Sequence, residues 1–219
     1  RCAPATSVAL LLEGRRSDSR PVTPARASLR PGKPALVVKV GGGLLAHEGC
    51  LDAVLTVLAD LASDEPLVIV PGGGPFADAV RDQDERLRVS NDASHWMAVL
   101  GMDQYAHLIA SRLRGAVLVT DRDRISAALR DGQIPVLAPF EWLRREDPLP
   151  HSWQVTSDSI AAWVAAAMGA RGVVLVKPPG SGQRPDVVDG HFARVRTTLD
   201  VEFIPADGID ALRRPIMRR

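Results

Sequence analysis

Two lysines and two runs of three glycines are the residues of this chain best suited to handling an anion. Lys39 lies in the apolar run Val37-Val38-Lys39-Val40 and is followed at once by Gly41-Gly42-Gly43. Glycines directly after a strand let the backbone approach a ligand closely and turn successive N–H groups toward it. The start of the following helix adds the positive end of its dipole, which suits a phosphate. A lysine in an otherwise apolar strand is costly to desolvate unless it meets an anion. The competing reading is an edge-strand lysine that reaches out to water. Residues 68–75, Val-Ile-Val-Pro-Gly-Gly-Gly-Pro, repeat the device. One glycine turn says little, since turns need glycine in any case. Two, each closing an apolar strand and opening a helix, point to two anionic groups held close together.

Two further features are weaker alone. Thr156-Ser157-Asp158-Ser159-Ile160-Ala161-Ala162 reads first as a helix start, with hydroxyls capping and Asp158 answering the dipole. Lys177 ends the apolar run 172–176 ahead of a Gly/Pro loop and is equally readable as a solvated strand end. Both glycine turns also satisfy the dinucleotide pattern GxGxxA, through Gly41, Gly43, Ala46 and through Gly72, Gly74, Ala77. That reading leaves Lys39 unexplained and needs only one copy. It also calls for an acidic residue closing the next strand roughly 20 residues on, whereas Asp60 and Asp64 precede the run 67–70. Neither turn has the GxxxxGK[ST] spacing of a P-loop.

The elements that must position these residues follow from hydropathy. Short apolar runs at 35–40, 67–70, 116–120, 135–138 and 172–176 read as strands buried on both faces. Helical spacing joins Leu51, Val54, Leu55, Leu58 and Leu61, and a second helix is expected to start at Pro75. A third, capped by Asn91 or Asp92, runs past Trp96, Val99, Leu100 and Leu108 to Gly115. A fourth covers 123–130; a fifth, capped by Thr156 or Ser157, covers 160–168 and stops at Gly169. Strand–helix alternation implies parallel βαβ units, with ligands beyond the carboxyl ends of the strands. The charged stretch 141–150 is expected to be a mobile loop, 186–195 a hairpin around Asp189-Gly190, 201–204 a last strand, and the tail from Ala206 helical.

Composition narrows the function classes. The 219 residues suit one domain, at most two-lobed. With 27 Lys+Arg against 26 Asp+Glu, there is no basic excess for a nucleic-acid partner. No apolar segment reaches the roughly 18 residues of a membrane span. Cys2 and Cys50 form neither a CxxC nor a disulfide framework, so a reducing, cytoplasmic setting is expected. Residues 1–34, rich in Arg, Ser, Pro and Ala, have an apolar stretch too short for a secretory signal. They read as a disordered extension or an artefact of the gene start, although an organelle transit peptide shares that composition.

Taken together, the K-x-GGG start, the second GGG turn and the T-S-D-S-I-A-A helix start resemble the amino-acid kinase family, which includes acetylglutamate, aspartate, uridylate and isopentenyl phosphate kinases. The resemblance runs from about residue 35 to 177, with a looser match beyond. It implies an α/β fold, a three-layer α/β/α sandwich with a mainly parallel central sheet of the carbamate kinase-like kind. It implies a homo-oligomeric, ATP-dependent phosphotransferase acting on a small molecule, with Mg²⁺ carried on ATP and no metal ligands from the protein. An acceptor-binding half over 35–140 and a nucleotide-binding half over 151–219 are expected. By position, Lys39 bridges the transferring phosphoryl group, and Gly41, Gly42 and Gly43 supply N–H groups to the donor phosphates. Gly72, Gly73, Gly74 and Thr156 hold the acceptor, while Asp158 orients the lysines. Lys177 is the second lysine, on the nucleotide side with Gly180 and Gly182. The segment 178–182 stands where uridylate kinases carry their nucleotide loop.

Residues 94–105 and 153–161 further resemble one branch of that family, the kinases of an aminomethyl-furanmethyl phosphate in methanopterin biosynthesis, whose product is a diphosphate. The resemblance implies that His95 and Gln104 contact the acceptor and that Trp96, Met97 or Trp153 covers its small ring. Trp and Met at helical spacing are also ordinary core residues. Arg81 and Arg88 either read an acceptor phosphate or form a solvated face. The alternatives are a uridylate or amino-acid kinase of the same fold, a nucleotide-binding storage protein without catalysis, and the dehydrogenase. Retention of both lysines argues against the storage protein.

Overall fold

The computed structural model describes residues 33–181, 188–195 and 199–213. Its elements alternate as the hydropathy requires. Strand β1 (Leu36–Val40) leads through a 3₁₀ turn (Gly42–Ala46) to α1 (Cys50–Leu61) and β2 (Leu67–Pro71). Helices α2 (Gly74–Leu87) and α3 (Asn91–Arg112) precede β3 (Ala116–Val119), α4 (Arg122–Arg130), β4 (Ile134–Leu137) and α5 (Phe140–Glu146). Helix α6 (Ser157–Met168), β5 (Gly172–Lys177), the helical turn α7 (Phe192–Val195), β6 (Val201–Pro205) and a 3₁₀ segment (Ala206–Arg213) follow.

The strands form one parallel sheet in the order β3-β4-β2-β1-β5-β6. One face carries Leu36, Val38, Val40, Ile69 and Val174 against α1, the second half of α3 and the 3₁₀ segment 206–213. The other carries Val37, Val68, Val70, Val173 and Leu175 against α4, α5, α6 and the first half of α3. This is the three-layer α/β/α sandwich that the family resemblance implies, built from the parallel βαβ units expected from the alternation. Because β2 and β5 flank β1 on opposite sides, the chain changes direction at β1, and the carboxyl ends of these three strands open the crevice where such sheets bind ligands.

The structure corrects three local expectations. The stretch 141–150 is not a loop throughout, because α5 occupies its first half. Trp142, Leu143 and Leu149 are buried while Arg144, Arg145 and Glu146 face solvent, so the charges mark the outer side of a short amphipathic helix. The described part of 186–195 is not a hairpin: Phe192–Val195 is helical and Phe192 is buried. Residues 186 and 187 lie outside the described residues. The cap of α3 is Ser90, whose hydroxyl accepts from the Ala93 amide, one residue earlier than expected.

Candidate active site

Strand pleating decides where the two lysines point. Successive side chains alternate across a sheet, so Lys39 shares the face of Val37. Leu175 on β5 pairs with Lys39, and Lys177, two residues on, emerges on the same face of the adjacent strand. Helix α6 packs on that face and leads into β5, so it runs against the strands and its first turn lies over their carboxyl ends. Asp158 sits in that turn. Its Oδ2 accepts a hydrogen bond from Lys177 Nζ at 2.6 Å, and its Oδ1 lies 3.0 Å from Lys39 Nζ. Lys39, Asp158 and Lys177 are 6%, 3% and 7% exposed.

Burial alone would push the Asp158 carboxyl up, but the two ammonium groups outweigh it and hold the group below the usual carboxylate range. Burial, and then the neighbouring Lys39 charge, pull Lys177 below an ordinary lysine against the opposing effect of Asp158. Two ammonium groups share this carboxylate in a place that water barely reaches. Such a site suits a polyanion.

Asp189 holds this turn in place, and no sequence pattern marked it as more than a turn residue. Its Oδ2 accepts from the Thr156 amide (2.9 Å), the Thr156 hydroxyl (2.7 Å) and the Ser159 amide (3.1 Å). Its Oδ1 accepts from the Ser159 hydroxyl and from the His191 and Phe192 amides (3.1 and 2.8 Å). One carboxylate thus gathers the orphan donors of two helix starts, on either side of Asp158. Thr156 also caps α6, accepting from the Asp158 amide.

The two glycine turns touch each other. A Cβ built on Gly42 would lie 2.1 Å from the Gly74 nitrogen, and one on Gly72 would lie 2.6 Å from the Gly42 nitrogen. A Cβ on Gly43 would meet Pro178, which follows β5, at 2.7 Å. Gly74 is also left-handed, with φ +53°. The Gly41 and Gly72 amides are engaged, donating to Val176 O (3.1 Å) and Val40 O (2.8 Å) as extensions of the strand ladder. Gly42, Gly43 and Gly74 open helical turns, where backbone amides have no carbonyl partner in their own helix. These are the N–H groups placed to meet an anion. Tyr105, buried on α3, donates to the Gly41 carbonyl at 3.4 Å.

Beside the turns lies a cavity of about 190 Å³. Its walls are Gly42, Gly73, Gly74, Asp78 and Arg81 on one side, His95, Val99 and Met102 of α3 on another, and Ser152, Trp153 and residues 155–157 on the third. The lysines do not line it; Gly42 and Ser157 connect it to the buried charges. The third wall is tied to the helices. Trp153 donates its indole N–H to Asp84 of α2 at 2.6 Å, with the Arg81 guanidinium 4.7 Å above its ring. His151 bridges Asp92 and Asp147 at 2.8 Å each and stacks on His95. Burial, then His151, push His95 down to about 4, so at neutral pH it is an uncharged ring.

Of the other expected contacts, Thr156, His95 and Trp153 line the cavity. Trp96 is buried against Phe140 and His151 at its edge. Gln104 and Met97 are exposed and do not line it. Arg88 ends α2 in a left-handed conformation beyond the cavity. Gly180 is exposed with φ +72° in the loop after β5, and Gly182 lies outside the described residues.

The profile of the amino acid kinase family matches residues 34–178, which run from the start of β1 to just past β5. A (5-(aminomethyl)furan-3-yl)methyl phosphate kinase of Methanocaldococcus jannaschii is 29% identical over 177 residues, spanning 76% of this chain and 80% of that relative. Among solved structures, uridylate kinase of Archaeoglobus fulgidus superposes with a TM-score of 0.60 over 82% of this chain and 96% of that one. UMP kinase of Ureaplasma parvum does so with 0.63 over 86% and 95%; both are 15% identical, a likeness of fold. The chain therefore belongs to the amino acid kinase family and is a phosphotransferase.

Proposed function

We propose that this enzyme transfers the γ-phosphoryl group of ATP to the phosphate of a small acceptor, a furanylmethyl phosphate bearing an aminomethyl group, giving ADP and a diphosphate. The observation that carries the reading is the Lys39–Asp158–Lys177 bridge beneath two touching glycine turns. Phosphoryl transfer asks a protein mainly for alignment of two phosphates and for positive charge on the oxygens between them. Lys39, on the strand that opens into the first turn, neutralises the group in transit. Lys177 holds the donor phosphates from β5, beside the loop containing Gly180. Asp158 keeps the two ammonium groups aimed without contacting the phosphates itself. Gly42 and Gly43 present amides to the donor, and Gly73 and Gly74 to the acceptor.

Among the described residues, no group of three or more His, Cys, Asp or Glu could hold a metal ion. Mg²⁺ would arrive on the nucleotide phosphates, beside Lys39 and Lys177, and would supply further charge neutralisation there. The half spanning 35–140 takes the acceptor and that from 151 the nucleotide, although Ser152, Trp153 and residues 155–157 lend the acceptor cavity its third wall.

Two observations support the acceptor. One is the furan phosphate kinase among the relatives. The other is size: a cavity of about 190 Å³ is smaller than the roughly 300–1,000 Å³ pockets of drug-sized ligands, and so suits a small ester better than a nucleotide. The test is ADP release with the aminomethyl furan phosphate, UMP, acetylglutamate, aspartate and isopentenyl phosphate offered in turn. Turnover of the furan ester far above the rest is expected; turnover with UMP alone would overturn this acceptor.

A further inference from the structure

We propose that Asp78 recognises the acceptor's ammonium group and so makes the enzyme selective for a phosphate ester that also carries an amine. This rests on the acceptor reading above and adds to it the residue that reads the end of the molecule away from the reaction.

The cavity has both polar and apolar walls. The glycine turns line it together with Ala98, Val99, Met102, Val155 and Trp153. Asp78 is the one carboxylate among the described residues that line it, and Arg81 the one permanent cation. Asp78 lies four residues past Gly74 on α2, which at 1.5 Å per residue is about 6 Å along the helix. A phosphate held at Gly74 therefore leaves Asp78 within reach of a cation carried across one small ring. Arg81 sits three residues farther along, its guanidinium over the Trp153 ring.

The present partner of Asp78 is easily exchanged. Arg81 Nη1 donates to its Oδ1 at 3.4 Å, and the two side chains are 48% and 66% exposed. Pairs this open contribute little, so a ligand ammonium can replace Arg81 at small cost. The exchange leaves Arg81 on the Trp153 ring, so the wall persists while the carboxylate turns to the ligand. With His95 uncharged at neutral pH, the amine meets no competing cation on that side.

The experiment compares two esters, (5-(aminomethyl)furan-3-yl)methyl phosphate and the same compound with methyl in place of aminomethyl, on wild type, Asp78→Asn and Asp78→Glu. Wild type is expected to prefer the amine by about 2–5-fold in kcat/KM, the size of an ion pair to a partly exposed carboxylate. Asp78→Asn should bring that ratio close to one, through a raised KM for the amine, while Asp78→Glu retains a clear preference. In wild type and Asp78→Glu, but not in Asp78→Asn, the preference should fade as pH rises through the pKa of the amine. An unchanged ratio in Asp78→Asn, an equal loss on both esters, or a pH-independent preference would overturn the proposal. Wild type that turns over neither ester but accepts another phosphate would instead overturn the acceptor reading itself.

Discussion

In the first glycine turn, Gly41 donates to Val176 of β5 and accepts from Tyr105 of α3, while Gly43 abuts Pro178. The turn is held from three sides, directly beside two buried lysines. In the second, Gly72 donates to Val40, and the chain then enters α2, a helix with no fully buried residue. There the side chains that face the cavity, Asp78 and Arg81, are exposed and loosely paired. Two runs of identical sequence thus end in a fixed floor and an adaptable wall. What separates them is the neighbour each meets: a central strand bearing charge for one, a surface helix packed on α3 with its outer face in solvent for the other.

This contrast predicts that changes on the floor depress the chemical step, whereas changes on the wall alter binding or stability. The largest effect is expected from Lys39→Ala, which should lower kcat by about 10²–10³, by analogy with the loss of one oxyanion donor. Its melting temperature should change little, because Asp158 keeps Lys177 as partner; near-wild-type kcat would break the comparison. Gly42→Ala comes next. Its methyl group must push apart two backbones now in contact, which should cost about 1–3 kcal/mol of stability and roughly 10² in kcat/KM through misalignment. Gly43→Ala meets only a proline ring and should do less on both counts, which thermal melts and steady-state kinetics would show.

Asp189→Asn sharpens the floor's definition. An amide has one oxygen for six donors, so the start of α6 should loosen, with about 1.5–3 kcal/mol lost. A fall in kcat near tenfold, at little change in KM for the acceptor, is the expected signature of a carboxylate that works through Asp158. The smallest effect lies on the wall side, at Asp103 of α3. It accepts from the Phe140 amide at the start of α5, and burial raises its pKa to about 6 from 3.8. Because the folded chain then binds a proton more readily than the unfolded one, stability should decline as pH rises from about 4 to about 6. Asp103→Asn should flatten that part of the profile in denaturant titrations, with catalysis unaffected; an unchanged slope would place the titration elsewhere.

Much of this molecule could be read from local pattern. The strands, the helix spacing of α1, the Thr156 cap, the glycine turns and the cost of burying Lys39 are properties of neighbouring residues and of the backbone, so the sequence by itself determined them. It also supplied Asp158 and Lys177 as candidates, though each had an ordinary alternative. Tertiary structure alone decided that Lys39 and Lys177 share one carboxylate, because that depends on β5 pairing with β1 in one register. It also made Asp189 a hub for two helix starts, and turned the charged stretch after Pro139 into α5 with Trp142 inward. Hydrogen bonds and ion pairs between distant segments leave no periodic trace in a chain. Their partners are selected by strand order and helix direction, which the burial of two sheet faces imposes together.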